Sequence, residues 1–152
     1  MSVSIREAMV GVVAGAAGWS LTEYAAHRWH MHGRVWSRGP VASEHRAHHA
    51  DPLRTRPILR VAAYGGIGLA SAAIGSLGTM VGRTTTTVAL AVSWFGGYTV
   101  YETLHHRAHH RAVRWGFERP LRARHVIHHE DRSGVNFGVT TAVWDQVFDT
   151  AK

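Results

Sequence analysis

Polar and apolar residues are sorted along this chain into long blocks. From Val61 to Gly82 every residue is uncharged and most are apolar or small; the same holds from Thr84 to Tyr101, and Arg83 alone separates the two runs. A third run, Ala8 to Thr22, is shorter and is followed at once by Glu23. A helix that crosses the hydrocarbon core needs about 20 residues, so the two long runs qualify and the first is marginal. We count the first as a span, because flanking side chains can snorkel or the bilayer can thin. It lacks the charged start and small-residue cleavage site of a signal peptide and is read as retained.

Between the blocks lie breakers and caps. Ser4-Ile5-Arg6-Glu7 has capping-box spacing and predicts the start of the first helix, on which Gly11, Gly15 and Gly18 form a small-residue stripe that lets a neighbour approach. Gly33, Gly39 and Pro40 break the chain, and a short helix is predicted from about Ser43 to Ala50, ended by Asp51-Pro52. Pro57 suits the first turn of the next helix. Gly82-Arg83 predicts a tight turn that folds the two long spans into a hairpin, and nothing stops the third span before about Val113. Trp115 and Phe117, set among arginines, read as an interfacial segment. A further helix runs from Pro120 through His129, Ser133-Gly134 is a turn, and a terminal helix is predicted over Thr140–Phe148. The expected fold is all-α: one domain, 1–152, built as a membrane bundle of about three spans with a histidine-rich helical cap.

Charge fixes the expected orientation. The net charge of +7 admits nucleic acid or a membrane as partner. The stretch 27–57 holds six arginines, including Arg34, and 105–152 holds seven, including Arg132, with Lys152; the opposite side has Arg6 and Arg83. This positive-inside pattern predicts an outside N-terminus, three crossings, and both polar segments with the C-terminus in the cytoplasm. No nucleic-acid-binding motif accompanies the arginines, which removes that class of partner.

The same polar segments hold all 13 histidines, and the chain has no cysteine. Disulfides and thiolate ligands are therefore excluded. The histidines form four groups: His27, His30 and His32; His45, His48 and His49; His105, His106, His109 and His110; His125, His128 and His129. Two groups read HxxHH, a spacing that brings all three rings to one side of a helix. Imidazole is the commonest metal ligand near neutral pH. Ten of these residues (His27, His32, His45, His48, His49, His105, His109, His125, His128 and His129) would fill two adjacent metal sites. His30, His106 and His110 are the surplus, read as surface residues or as residues behind the ligands. Glu23 and Glu102, close before His27 and His105, are placed to orient a ligand. Asn136 either orients a ligand or caps a turn, the turn being preferred.

The pattern resembles the fatty acid hydroxylase superfamily, which also includes sterol desaturases and carotenoid hydroxylases. The resemblance rests on Glu23-Tyr24-Ala25-Ala26-His27-Arg28 through His32, on His45-Arg46-Ala47-His48-His49, on Tyr101-Glu102-Thr103-Leu104-His105 with His109, on His125-Val126-Ile127-His128-His129, and on the tail Asn136–Asp145 with Phe148-Asp149-Thr150. The tail and the Tyr101–His105 box look most like fatty acid 2-hydroxylases; His27–Gly33 also looks like carotenoid hydroxylases. Two departures stand out. The family usually has four spans and three are counted here, which leaves the pocket either smaller or completed by a second chain. The doubled His105-His106 and His109-His110 leave the third box in register 105/109 or 106/110.

The resemblance implies a non-haem pair of iron ions that hydroxylates a lipid, a fatty acyl chain being favoured, with dioxygen and two electrons from an external reductase or small redox carrier. Carotenoid hydroxylation and sterol or lipid desaturation are the alternatives within the family. Zinc would fit such ligands but has no redox chemistry. Tyr101, Trp144 and Phe148 are assigned to the substrate pocket, against ordinary core packing or interface anchoring. Outside the oxygenases, the rivals are a bis-histidine cytochrome, which needs histidines inside the spans, and a membrane metal-binding protein or transporter, which needs polar residues along them; Val61–Gly82 offers almost none.

Overall fold

The computed structural model describes all residues except 1, 2, 34–37, 55, 132 and 133. Arg34, Arg132 and Ser133 of the expected basic segments and turn therefore lie outside the described residues, while Gly134 has the positive φ of a turn, +77°. Among the described residues six α-helices and one π-helical turn follow in order: α1 Val3–Ala25, the π turn Ala26–Met31, α2 Pro40–Ala50, α3 Pro57–Met80, α4 Thr84–His110, α5 Glu118–Glu130 and α6 Val143–Val147. No strand occurs among the described residues. The chain divides into two compact units, Met1–Trp19 with Thr55–Thr99, and Ser20–Arg54 with Val100–Lys152.

Five boundaries differ from expectation, among them that of α5, which runs over Glu118–Glu130 and so starts two residues before Pro120. Helix α1 already includes Val3, so Ser4 lies inside it and is not its cap. Helix α2 begins at Pro40, three residues earlier than predicted: Gly39, at φ 102°, makes the break, and Pro40 takes the first helical position, where its missing N–H costs nothing. Helix α4 stops at His110 and not at Val113. The last helix covers Val143–Val147 alone, because Thr140 is taken up by bonds to Glu23.

In the first unit, α1 packs on α4 through the glycine stripe. A Cβ on Gly11 would lie 2.2 Å from the Thr86 carbonyl oxygen, and one on Gly15 2.3 Å from that of Leu90. At Gly18 a Cβ would meet Trp94 Cδ1 at 3.8 Å, an ordinary contact, so this glycine also faces α4 but without the close backbone approach. The close approach lets Ser93 Oγ donate to the Val12 carbonyl at 2.8 Å. Gly15→Leu is expected to destabilise the protein by at least ~1–3 kcal/mol, the usual cost of overpacking, read as a lowered melting temperature in detergent. Gly18→Ala serves as the tolerant control, its Cβ meeting Trp94 at ordinary contact distance.

Helix α3 presents Ile58, Val61, Leu69, Leu77 and Met80 outward, each more than half exposed. It is long and apolar enough to cross a membrane, and among the described residues it alone passes both criteria. Helices α1 and α4 carry glycines, serines, threonines and aromatics in place of a continuous aliphatic run. The α3–α4 hairpin turns at Gly82, φ +69°, as expected.

Candidate metal centre

The second unit gathers the histidines. Helix α1 passes into the π turn, where the His32 amide donates to the His27 carbonyl at 3.1 Å. At about 100° per residue an α-helix would set positions five apart on diverging faces. The i→i+5 bonding of a π turn realigns them, so His27 and His32 approach with ring centroids 5.1 Å apart. On α4, ordinary four-residue spacing brings His105 and His109 to 5.3 Å.

Ten histidines form two groups. His27, His32, His45, His49 and His128 make the first; His48, His105, His109, His125 and His129 make the second; within each, one ring nitrogen per residue lies within 4.8 Å of all the others. Each HxxHH motif is split. From α2, His45 and His49 enter the first group and His48 the second; from α5, His125 and His129 enter the second and His128 the first. The two groups adjoin, with the His49 and His129 rings stacked at 4.1 Å. Of the surplus residues, His106 and His110 stack on each other at 4.4 Å, and His30 is half-buried on the π turn; none of the three joins a group.

Ring nitrogens face ring nitrogens. His45 Nε2 lies 3.1 Å from His27 Nε2, 2.7 Å from His32 Nε2 and 3.1 Å from His49 Nε2. In the second group His109 and His125 meet at 2.8 Å and His48 and His105 at 3.0 Å. Protons cannot satisfy this set. The Nδ1–H of His27 is committed to the Phe137 carbonyl at 2.5 Å and that of His128 to the Val135 carbonyl at 2.7 Å, so both Nε2 atoms point bare lone pairs inward. A cation resolves what protons cannot, and five imidazoles without sulfur suit iron, zinc, copper or nickel. The donor set fits a metal at each group.

Electrostatics keeps the ligands ready. All ten imidazoles titrate below their ordinary value of 6.5, with burial the first cause in every case and repulsion from neighbouring imidazoles adding in nine. His32 and His109 fall to about 4, His49 to about 3 and His129 to about 2. Neutral rings at physiological pH offer lone pairs without a proton to displace.

The segment 135–150 braces the first group. Glu23, only 4% exposed, accepts from the amides of Val139 and Thr140 at 2.6 and 2.9 Å and from the Thr140 hydroxyl. Asn136, at φ +53°, bonds Arg124 and Lys152 through its amide group. Tyr101 is buried and stacks on the His105 ring at 5.6 Å. Trp144 Nε1–H donates to Ser20 Oγ at 3.1 Å, and Phe148 stacks on Tyr24 at 5.3 Å. Glu102 is half-buried on α4.

A family model described as fatty acid hydroxylase matches residues 12–150. The chain belongs to that family. Among its relatives in Arabidopsis thaliana are dihydroceramide fatty acyl 2-hydroxylase FAH1, 26% identical over 99% of this chain and 64% of its own length, and FAH2, 25% identical over 91% and 59%. The solved structure described as full-length scs7p, with only the hydroxylase domain visible, superposes with a TM-score of 0.71 at 25% identity, covering 97% of this chain and 57% of that one. The chain thus spans about six-tenths of the length of these relatives.

Within this hydroxylase-family chain, sequence reasoning gave no role to Asp145 or Arg124. Asp145 is fully buried and ion-paired with Arg124 at 2.7 Å. A signal was available: a single carboxylate inside the otherwise uncharged run Val139–Phe148.

Proposed function

We propose that this chain is a membrane-bound, non-haem di-iron hydroxylase acting on a lipid C–H bond. The observation that carries the reading is the pair of five-histidine groups in a member of the fatty acid hydroxylase family. The two Arabidopsis relatives, dihydroceramide fatty acyl 2-hydroxylases by name, support a fatty acyl chain over a carotenoid or a sterol.

In this reading His27, His32, His45, His49 and His128 hold one ion, and His48, His105, His109, His125 and His129 the other. Bound iron would supply the redox chemistry that hydroxylates an unactivated C–H bond with dioxygen and two electrons from an external donor. The protein's part is positional. The Phe137 and Val135 carbonyls fix the His27 and His128 tautomers, and burial keeps the ligand rings neutral. Tyr101, against His105, is the side chain best placed to border substrate, with Trp144 and Phe148 as further pocket residues.

The whole of 1–152 acts as one hydroxylase domain in this reading. Three crossings, an outside N-terminus and cytoplasmic histidines with the C-terminus are supported by the arginine distribution and by the apolar α3.

The test is expression in a host that makes both fatty acyl lipids and carotenoids, with lipids compared by mass spectrometry against His48→Ala and His128→Ala. The expected result is a fatty acyl product one oxygen heavier, present with the intact chain alone. A product lacking two hydrogens would move the assignment to desaturase. No product together with no bound metal would overturn it.

A further inference from the structure

Two peptide units stand behind the first histidine group, and each has a second end. The Val135–Asn136 peptide accepts from His128 and passes its N–H to the Thr150 carbonyl at 2.8 Å. The Phe137–Gly138 peptide accepts from His27 and passes its N–H to Asp145 Oδ2 at 2.9 Å. One chain therefore ends on a neutral carbonyl and the other on a buried carboxylate. In the second group the corresponding atoms of His125 and His129, both Nδ1, are buried without a hydrogen-bond partner.

We propose that Asp145 is a positioning residue that acts through the Phe137–Gly138 peptide on His27 and makes the His27 group the tighter of the two metal sites. The inference rests on the two-metal reading above. Its physical basis is cooperative polarisation: a carboxylate on the amide end of a peptide strengthens its carbonyl as an acceptor, which strengthens the opposite nitrogen of the donating imidazole as a ligand. The carboxylate is held for this task by four donors. Oδ1 takes the Phe137 amide at 2.7 Å and the Thr150 hydroxyl at 2.8 Å, and Oδ2 takes Gly138 and Arg124. An asparagine at 145 removes the charge and must turn an NH2 toward one of the two loop amides. Glu118 supplies the control: it is also buried and also accepts backbone amides, but those of Arg114 and Trp115, outside the segment that stands behind the first group.

The experiment is a cobalt(II) titration of the metal-stripped full chain in detergent, following the absorption of imidazole-bound cobalt. The wild type is expected to load in two steps. Asp145→Asn should weaken the tighter step about 10–100-fold, the usual effect of losing a group behind a ligand, and leave the weaker step unchanged. Glu118→Gln should leave both steps in place. Equal weakening of both steps by Asp145→Asn, no weakening, or the same effect from Glu118→Gln would overturn the relay. A wild type that binds no cobalt would overturn the two-metal reading itself, and the relay with it. Should Asp145→Asn lack helical circular dichroism, single-ligand variants decide: survival of the tighter step in His125→Ala supports the inference, and its survival in His27→Ala overturns it.

Discussion

His48→Ala is expected to lose hydroxylated lipid altogether and to lower bound metal from two ions to one, with the ion lost from the group that His125 serves. The argument is geometric. His48 shares α2 with His45 and His49, yet its ring stands 4.7 Å from His105 and 4.6 Å from His109, across from its own helix. Its Nε2 meets that of His105 at 3.0 Å. His45→Ala, three residues away, should instead strip the group that holds His27 and His32. The reciprocal pair on α5 makes the same point: His128→Ala should resemble His45→Ala, and His125→Ala should resemble His48→Ala. Metal analysis with cobalt spectra on the four variants checks this. If neighbours on one helix behaved alike, in place of partners across helices, the split of the two motifs would be wrong.

Metal removal combined with acid is expected to give the second large effect. Each ion that binds the folded chain alone stabilises it by on the order of 4 kcal/mol when free metal stands a thousandfold above its dissociation constant. Stripping both ions forfeits that contribution and leaves ten crowded neutral imidazoles. Their folded-state pKa values lie below 6.5, so below pH 6.5 the unfolded chain takes up protons that the folded chain excludes. Stability then falls as pH falls. The loss runs from about 6.5 down to about 4 for His32 and His109, and continues to about 3 for His49 and about 2 for His129. Urea unfolding of chelator-treated protein at pH 8 and pH 5 checks the sign: the midpoint should be lower at pH 5. An equal or higher midpoint at pH 5 would contradict the burial of these rings. The metal-loaded protein should resist acid longer and then lose its ions, because protons and metal compete for the same lone pairs.

Several features were legible in the residue order because they depend on local periodicity alone. The uncharged runs marked α3 and the greater part of α4, and Pro57 and Gly82 marked boundaries that local backbone geometry sets. Histidine spacing marked the four groups from which the ten gathering residues come, since positions three and four apart on a helix turn the same way whatever surrounds them. Family membership followed from the same spacing.

Only the tertiary structure decided how the ten are divided. His48 and His49 diverge by about 100° on α2, so one helix can serve two centres, and which ring goes where depends on what α4 and α5 present opposite. The third box is divided the same way: His105 and His109 meet His48 and His125, whereas His106 and His110 stack on each other. The five-residue gap between His27 and His32 predicts divergence on an α-helix, and a π turn removes it. Asp145 lies 118 positions after His27 in the chain, and its bond to the peptide that holds His27 exists through folding alone. Sequence patterns encode which way a side chain leaves its own helix; what it meets there is set by long-range packing that no local period records.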